Sequence, residues 1–243
     1  MRLPRRALAV PLMTHEQRWL PQIQGLLPLK VPAPTHVGLP GLGYPWHWSV
    51  AHWIEGDTAD LNPPDASQGV VLAGFLQALH VSAPQDAPRN VYRGVPLAQR
   101  AGKFDECVAR VLTKSNAIGA HHHALWQRAL AAPMDIAETW IHGDLHPRNV
   151  LVQGGKLSGV IDWGDMARGD AATDLAALWM LLPQLQARRD AMATLASVSL
   201  PTWDRARGWA LLFAAILLDA GLHDDARMAV IAERTLRNVL EGP

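Results

Sequence analysis

Residues 141 to 151 read IHGDLHPRNVL, with two histidines, an aspartate, an arginine and an asparagine in one short stretch. The question it raises is what chemistry needs Asp144 and Asn149 so close together. The residues that follow supply a geometry. Val150, Leu151 and Val152 precede Gly154 and Gly155, and a second apolar run covers 157 to 161, so two short runs about a Gly-Gly turn predict a β-hairpin. An antiparallel pair brings the start of its first strand beside the end of its second, which sets Asn149 next to Asp162. Neighbouring strands lie about 4.8 Å apart, so an amide oxygen and a carboxylate can converge there on one hard cation. Two protein oxygens, with the rest from water and phosphate, is the usual way of holding Mg²⁺ in phosphoryl-transfer sites. Asp144, on the preceding loop, faces the same cavity without a metal to bind and is free to accept a proton.

The order D-x-x-x-x-N, hairpin, D-x-G, here Asp144, Asn149 and Asp162-Trp163-Gly164, resembles the catalytic loop of protein kinases. The wording HGDLHPRN with IDWGD and GDAATDLA is similar to the aminoglycoside phosphotransferase branch of that fold, which includes kinases of antibiotics, choline and related small molecules. RLPR, the stretch around Glu16, YPWHWSVAHWIEGD and RGVPLAQR extend the likeness over most of the chain. The resemblance implies an α+β, protein-kinase-like two-lobe fold: a truncated N-terminal β lobe and hinge over 1 to 54, then a mostly helical C-terminal lobe over 55 to 243. It implies that Asp144 is the base, that Asn149 and Asp162 hold Mg²⁺ on the phosphates of ATP or GTP, and that Asp174 braces the loop by accepting backbone hydrogen bonds. His142 and His146 could serve as acid or metal groups, but in such a loop they read as residues that bond backbone and hold the turn. Ala51, His52, Trp53 and Ile54 would link the lobes and offer backbone groups to adenine. Arg2 stands where the family carries a lysine, with Glu16 as its partner; arginine grips phosphate bidentately and is not a neutral replacement. Family members place two strands and a phosphate-covering loop before that position, so the front lobe is expected as a stub. GLPGLG, 38 to 43, follows Glu16, contains Pro40 and reads as a turn between strands.

The remaining features bound these readings. Lys and Arg together number 22, as do Asp and Glu, so no bulk field draws the chain to nucleic acid or an anionic membrane. The single cysteine, Cys107, excludes an internal disulfide framework. Arg2, Arg5 and Arg6 precede an apolar run, but that run contains Pro11 and gives way to polar 14 to 18 without a small-residue cleavage site, so a cytoplasmic protein is expected. The implied partner is a small-molecule hydroxyl acceptor, with a homodimer through the exposed front lobe as a further expectation. A kinase-like remnant that binds a ligand or protein without catalysis is the alternative. A protein or lipid kinase is disfavoured by the absence of an APE segment.

Apolar spacing and caps predict an extended piece over 1 to 10, helices over 14 to 27 (capped by Thr14), 64 to 80, 98 to 112, 121 to 132, 170 to 182, 203 to 220 and 224 to 240, and a strand over 46 to 54. The run His121 to His123 lacks the i, i+4 spacing of a zinc site and reads as a solvated helix face. Trp46, Trp48 and Trp53 read as a strand packed on a core. Asp219, Asp224 and Asp225 with His223 are acidic enough to meet an amine-bearing substrate, although Asp224 and Asp225 also suit the first turn of a helix.

Overall fold

The structure, a computed structural model, describes residues 1 to 241. The front of the chain is a small sheet with one helix. Arg2 pairs with Ser49 through N–H···O bonds of 2.7 and 3.0 Å. A single 3-10 turn at Ala7–Ala9 leads into α1 (Val10–Ile23). The extended reading of 1 to 10 therefore holds at Arg2 and ends by Ala7. Helix α1 also starts earlier than Thr14: Pro11 sits in its first turn, where its missing N–H costs nothing. Thr14 is not a cap, and its hydroxyl donates to the Val10 carbonyl at 3.0 Å.

Strands β1 (Pro34–Gly38) and β2 (Trp48–Ala51) form an antiparallel pair. The segment between them turns at Leu42 and Gly43, both at positive φ, with Gly41 and Tyr44 bonded across. It is a turn between strands, as its glycines and proline suggested. Gly38 is required where it stands, because a Cβ there would lie 1.9 Å from the Trp48 ring. The strand expected over 46 to 54 is shorter than that, and Trp53 is 85 % exposed rather than packed in a core.

A three-stranded sheet follows: β3 (Asp57–Thr58) pairs with β5 (Val150–Gln153), which pairs with β6 (Lys156–Val160), all antiparallel. Gly154 and Gly155 take φ +57° and +76°, the left-handed values a two-residue hairpin turn demands. Two short strands not anticipated from sequence, β4 (Thr139–Ile141) and β7 (Ala167–Gly169), pair antiparallel and so fix the point where the 142–149 loop begins, while its other end runs into β5.

The rest is helical: α2 (Gln68–Leu79), α3 (Ala101–Leu112), α4 (Ala120–Ala131), α5 (Ala172–Leu175), α6 (Ala177–Leu181), α7 (Leu185–Thr194), α8 (Leu200–Gly221) and α9 (Ala226–Leu240). Helix α8 is the core element. Ser199 caps it, Pro201 occupies its first turn, and residues 208 to 215 are buried on every face, packed against α3, α4, α5 and α9. The helix expected over 170 to 182 is broken at Ala176, where the Trp179 N–H reaches back three residues to the Ala176 carbonyl at 3.1 Å. His122 departs from the solvated face expected of its run. It is buried, accepts from the Gly119 N–H at 3.1 Å and donates to the Leu236 carbonyl at 3.1 Å. No helix among the described residues is long and apolar enough to cross a membrane.

Candidate active site

The 142–149 loop leaves β4 and enters β5 through a 3-10 turn at Pro147–Asn149 that His146 caps, its Nδ1 accepting from the Arg148 N–H at 3.2 Å. Gly143 takes φ +86°, and a Cβ there would lie 2.7 Å from the Asp165 carbonyl, so only glycine makes this bend. Beneath it, fully buried Asp174 of α5 accepts the His142 N–H at 2.6 Å and the Gly143 N–H at 2.8 Å, with His80 Nε2 at 3.4 Å. Two consecutive backbone donors thus converge on one carboxylate.

His142, also fully buried, accepts the Asp144 N–H on Nδ1 at 3.2 Å. That assigns the proton to Nε2, which donates to the Ile161 carbonyl at 3.0 Å. The imidazole therefore ties the loop to the residue before Asp162, with Trp163 packed edge-on at 4.8 Å between ring centres.

Asp144 stands at the centre. Its Oδ1 accepts from Arg93 Nη2 at 2.9 Å, and its Oδ2 lies 3.4 Å from both Asn149 Nδ2 and His146 Nε2. Burial opposes its charge, but His146, Arg93 and His142 outweigh burial and hold the carboxyl well below the usual carboxylate range. Asn149 donates its amide N–H to the Asp144 carbonyl at 2.9 Å, and its own carbonyl accepts the Ile161 N–H at 2.8 Å. Among the described residues no donor engages Asn149 Oδ1, so the oxygen suited to a hard cation is free.

Asp162 has φ +61°, a left-handed conformation that a non-glycine residue adopts at a cost of about 1–3 kcal/mol. Its Oδ1 lies 3.6 Å from Arg2 Nη2, and Arg2 also bonds Glu16 on α1. Glu16 is almost fully buried, and burial raises its pKa against the opposing pull of Arg2. Arg2, Glu16 and Asp162 thus form one charged line beside a cavity of about 600 Å³, whose walls include Ala51, His52, Trp53, Ile54, Leu151 and Ile161. A donor set of one amide oxygen, one carboxylate and space for phosphate fits Mg²⁺. No cage of three or more His, Cys, Asp or Glu side chains exists among the described residues.

Of the residues proposed for catalysis, metal and nucleotide, Asp144, His142 and Asn149 lie on this loop, Asp162 at the hairpin end, and Arg2 and residues 51 to 54 on this cavity wall, while Glu16 reaches it through Arg2 and Asp174 sits under the loop. Sequence reasoning missed Arg93, whose contact with Asp144 spans 51 residues, and read His146 only as a turn residue although it also reaches the Asp144 carboxylate. RGVPLAQR carries Arg93, but nothing in its spacing names a partner. The acidic group on the C-terminal helices is largely taken: Asp219 by Arg110 at 2.6 to 3.0 Å, and Asp225 by Arg148 at 2.6 Å while capping α9.

A small front sheet with one helix, a D-x-x-x-x-N loop, a hairpin ending in D-x-G and a helical remainder define a protein-kinase-like phosphotransferase fold. The model of the phosphotransferase enzyme family (APH) matches residues 1 to 209, and the chain belongs to that family. Among solved structures it is similar to the GDP and kanamycin complex of APH(2")-IIia, with a TM-score of 0.65 at 18% identity, covering 99% of this chain and 86% of that one. The streptomycin-ATP-APH(2")-IIa ternary complex gives a TM-score of 0.59 at 15% identity over 95% and 81%. Macrolide 2'-phosphotransferase MphH from Brachybacterium faecium gives 0.56 at 20% identity over 100% and 84%. Identities this low establish the shared fold. No curated protein matches the chain in sequence.

Proposed function

We propose that this protein is a cytoplasmic kinase that moves the γ-phosphate of ATP or GTP to a hydroxyl of a small molecule, an aminoglycoside-like antibiotic or a metabolite. The observation that supports the reading is Asp162 on the wall of a cavity that Arg2 and residues 51 to 54 also line, with the preceding residue, Ile161, bonded to Asn149, whose amide holds the Asp144 carbonyl. The base and ribose would occupy that cavity against the backbone of Ala51 to Ile54, with Trp53 at its rim. Arg2, held by Glu16, would meet the phosphates. Asn149 and Asp162 would hold Mg²⁺, which supplies charge neutralisation on the nucleotide phosphates. Asp144 would accept a hydrogen bond from the acceptor hydroxyl and finally its proton. With its pKa held low it is a weak base, so its larger contribution is orientation, which suits a transition state in which the nucleophile's proton leaves late.

Calorimetric titration with Mg·ATP and Mg·GTP, followed by an acceptor screen, tests the reading. In Asp144→Asn, turnover should fall by about 10²–10⁴-fold while nucleotide affinity stays within a factor of about two, since Asp144 lines no wall of the nucleotide cavity. Undiminished turnover in that variant, or no binding of either nucleotide, would refute it.

A further inference from the structure

On the far side of Asp144 from the nucleotide cavity runs a fixed strap, residues 88 to 96. The Arg168 N–H bonds the Pro88 carbonyl at 2.8 Å, the Gly94 N–H bonds Thr173 Oγ1 at 3.1 Å, and the Asp170 N–H bonds the Gly94 carbonyl at 2.9 Å. Gly94 has φ +66°, and a Cβ there would strike Ile141 and Gly169, so the strap cannot drift from the β4–β7 pair. Its side chains and those beside it are rich in guanidinium groups. Arg93 reaches Asp144 and lies over the Phe213 ring at 4.9 Å. Arg100, in the turn before α3, lies over the Tyr92 ring at 5.2 Å. A cavity of about 300 Å³ opens here, lined by Arg89, Asn90, Arg93, Gln99, Glu138 and Arg168.

The charges do not close on themselves. Arg89 and Arg168 share a single carboxylate, Glu138, at 2.7 to 2.9 Å. Asn90 holds Asp165 at 2.7 Å. Arg93 has only Asp144, and its Nε is buried without a partner. Arg100 makes no hydrogen bond or ion pair to any described residue, and its Nε is likewise buried and unpartnered. Burial, and then the neighbouring charge of Arg93, push its guanidinium below the ordinary range. A partly desolvated guanidinium with no acceptor costs stability that a bonded anion would offset. Asp219 and Asp225 on the helices beyond are already engaged by Arg110 and Arg148.

We infer that the acceptor carries an anionic group, a carboxylate or a phosphate, seated against Arg93 and Arg100 so that its hydroxyl meets Asp144. This narrows the acceptor within the kinase reading and rests on that reading for the transfer step, whereas the anion site itself does not. An amine-bearing acceptor would meet repulsion here from the unpaired Arg100 and from Arg89 and Arg168, which share one carboxylate.

The test uses probes that share one skeleton and differ in charge: glycerol 3-phosphate, glycerate, glycerol and 3-amino-1,2-propanediol. Each is titrated calorimetrically into the whole chain, with and without a saturating non-hydrolysable ATP analogue. The two anions should bind roughly tenfold or more tightly than glycerol or the amine, the size of one charge-assisted hydrogen bond, and added salt should weaken them. Arg100→Gln should erase the preference, and Arg100→Lys should keep part of it; circular dichroism confirms folding of both. Preference for the amine or for glycerol, no anion binding, or an unchanged preference in folded Arg100→Gln would overturn the inference. Failure of the ATP analogue to bind, with the anion preference intact and lost in Arg100→Gln, would refute the kinase reading and leave the anion site standing.

Discussion

Asp174→Asn tests the brace beneath the loop with almost no change of volume. In the native protein one carboxylate receives the N–H groups of His142 and Gly143, at 2.6 and 2.8 Å, with no solvent access. An asparagine offers one oxygen and one NH₂, so whichever way it turns, one backbone N–H faces a donor. Each hydrogen bond to a charged group contributes about 1.5–3 kcal/mol, and a buried N–H left unpaired costs about 1–3 kcal/mol. Relaxation recovers part of the sum, which leaves a loss of about 3 kcal/mol. For a chain of this length each kcal/mol moves the melting temperature by about 2–4 °C, so a drop of roughly 6–12 °C is expected. Thermal unfolding by circular dichroism measures the drop, and amide hydrogen exchange locates it. The His142 and Gly143 amides should lose protection, while those of β5 and β6 keep theirs. A variant that melts within about 1 °C of the native protein, or that exchanges uniformly faster, would refute the claim that Asp174 holds this loop.

Three further outcomes follow from the same geometry. The pKa of Glu16 is raised by burial, so its contribution is present below the ordinary carboxylate range and lost as pH rises through the raised value. Arg2→Met removes the opposing charge and lifts that value further, so urea titrations should find the variant penalised more near pH 8 than near pH 5.5, and equal penalties would contradict the pairing. Asp144 has a depressed pKa, so its contribution is present above the ordinary carboxylate range and lost as pH falls below about 4. Asp144→Asn should therefore flatten the acid limb of the stability curve, and a superimposable limb would count against the ion pairs assigned to it. In α2, a Cβ on Gly69 would lie 2.2 Å from the Ala187 carbonyl, whereas one on Gly74 meets nothing within 4 Å. Gly69→Ala should cost about 1–3 kcal/mol by overpacking against α7, and Gly74→Ala should gain roughly 0.5–1 kcal/mol of helix propensity. The same sign for both in chemical denaturation would show that α2 and α7 do not pack as closely as described.

What could be read from the sequence divides by the distance along the chain over which each feature is encoded. The hairpin was legible because Gly154 and Gly155 and the apolar runs around them lie within a dozen residues and their φ values follow from residue type. Asn149 and Asp162 came with it, since the hairpin alone brings them together. Strands β4 and β7 were not legible: each has three residues, too few for a period, and they exist because each pairs with the other. Helix α7 failed for a different reason, since fully buried Arg188 occupies its inner face and bonds the Leu182 carbonyl and Glu241, which inverts the apolar pattern a helix is recognised by. The break at Ala176 escaped because 171 to 182 are buried on all sides, leaving no amphipathic phase to mark an interruption. The active site splits the same way. Its metal side is written in one local stretch, 144 to 162. On its other side Asp144 meets Arg93 of the strap, which lies over Phe213 of α8, a contact made only by the fold. Reaction class could therefore be argued from residues 141 to 164, whereas the charge of the acceptor becomes arguable only when the unpaired guanidinium of Arg100 is found next to Arg93.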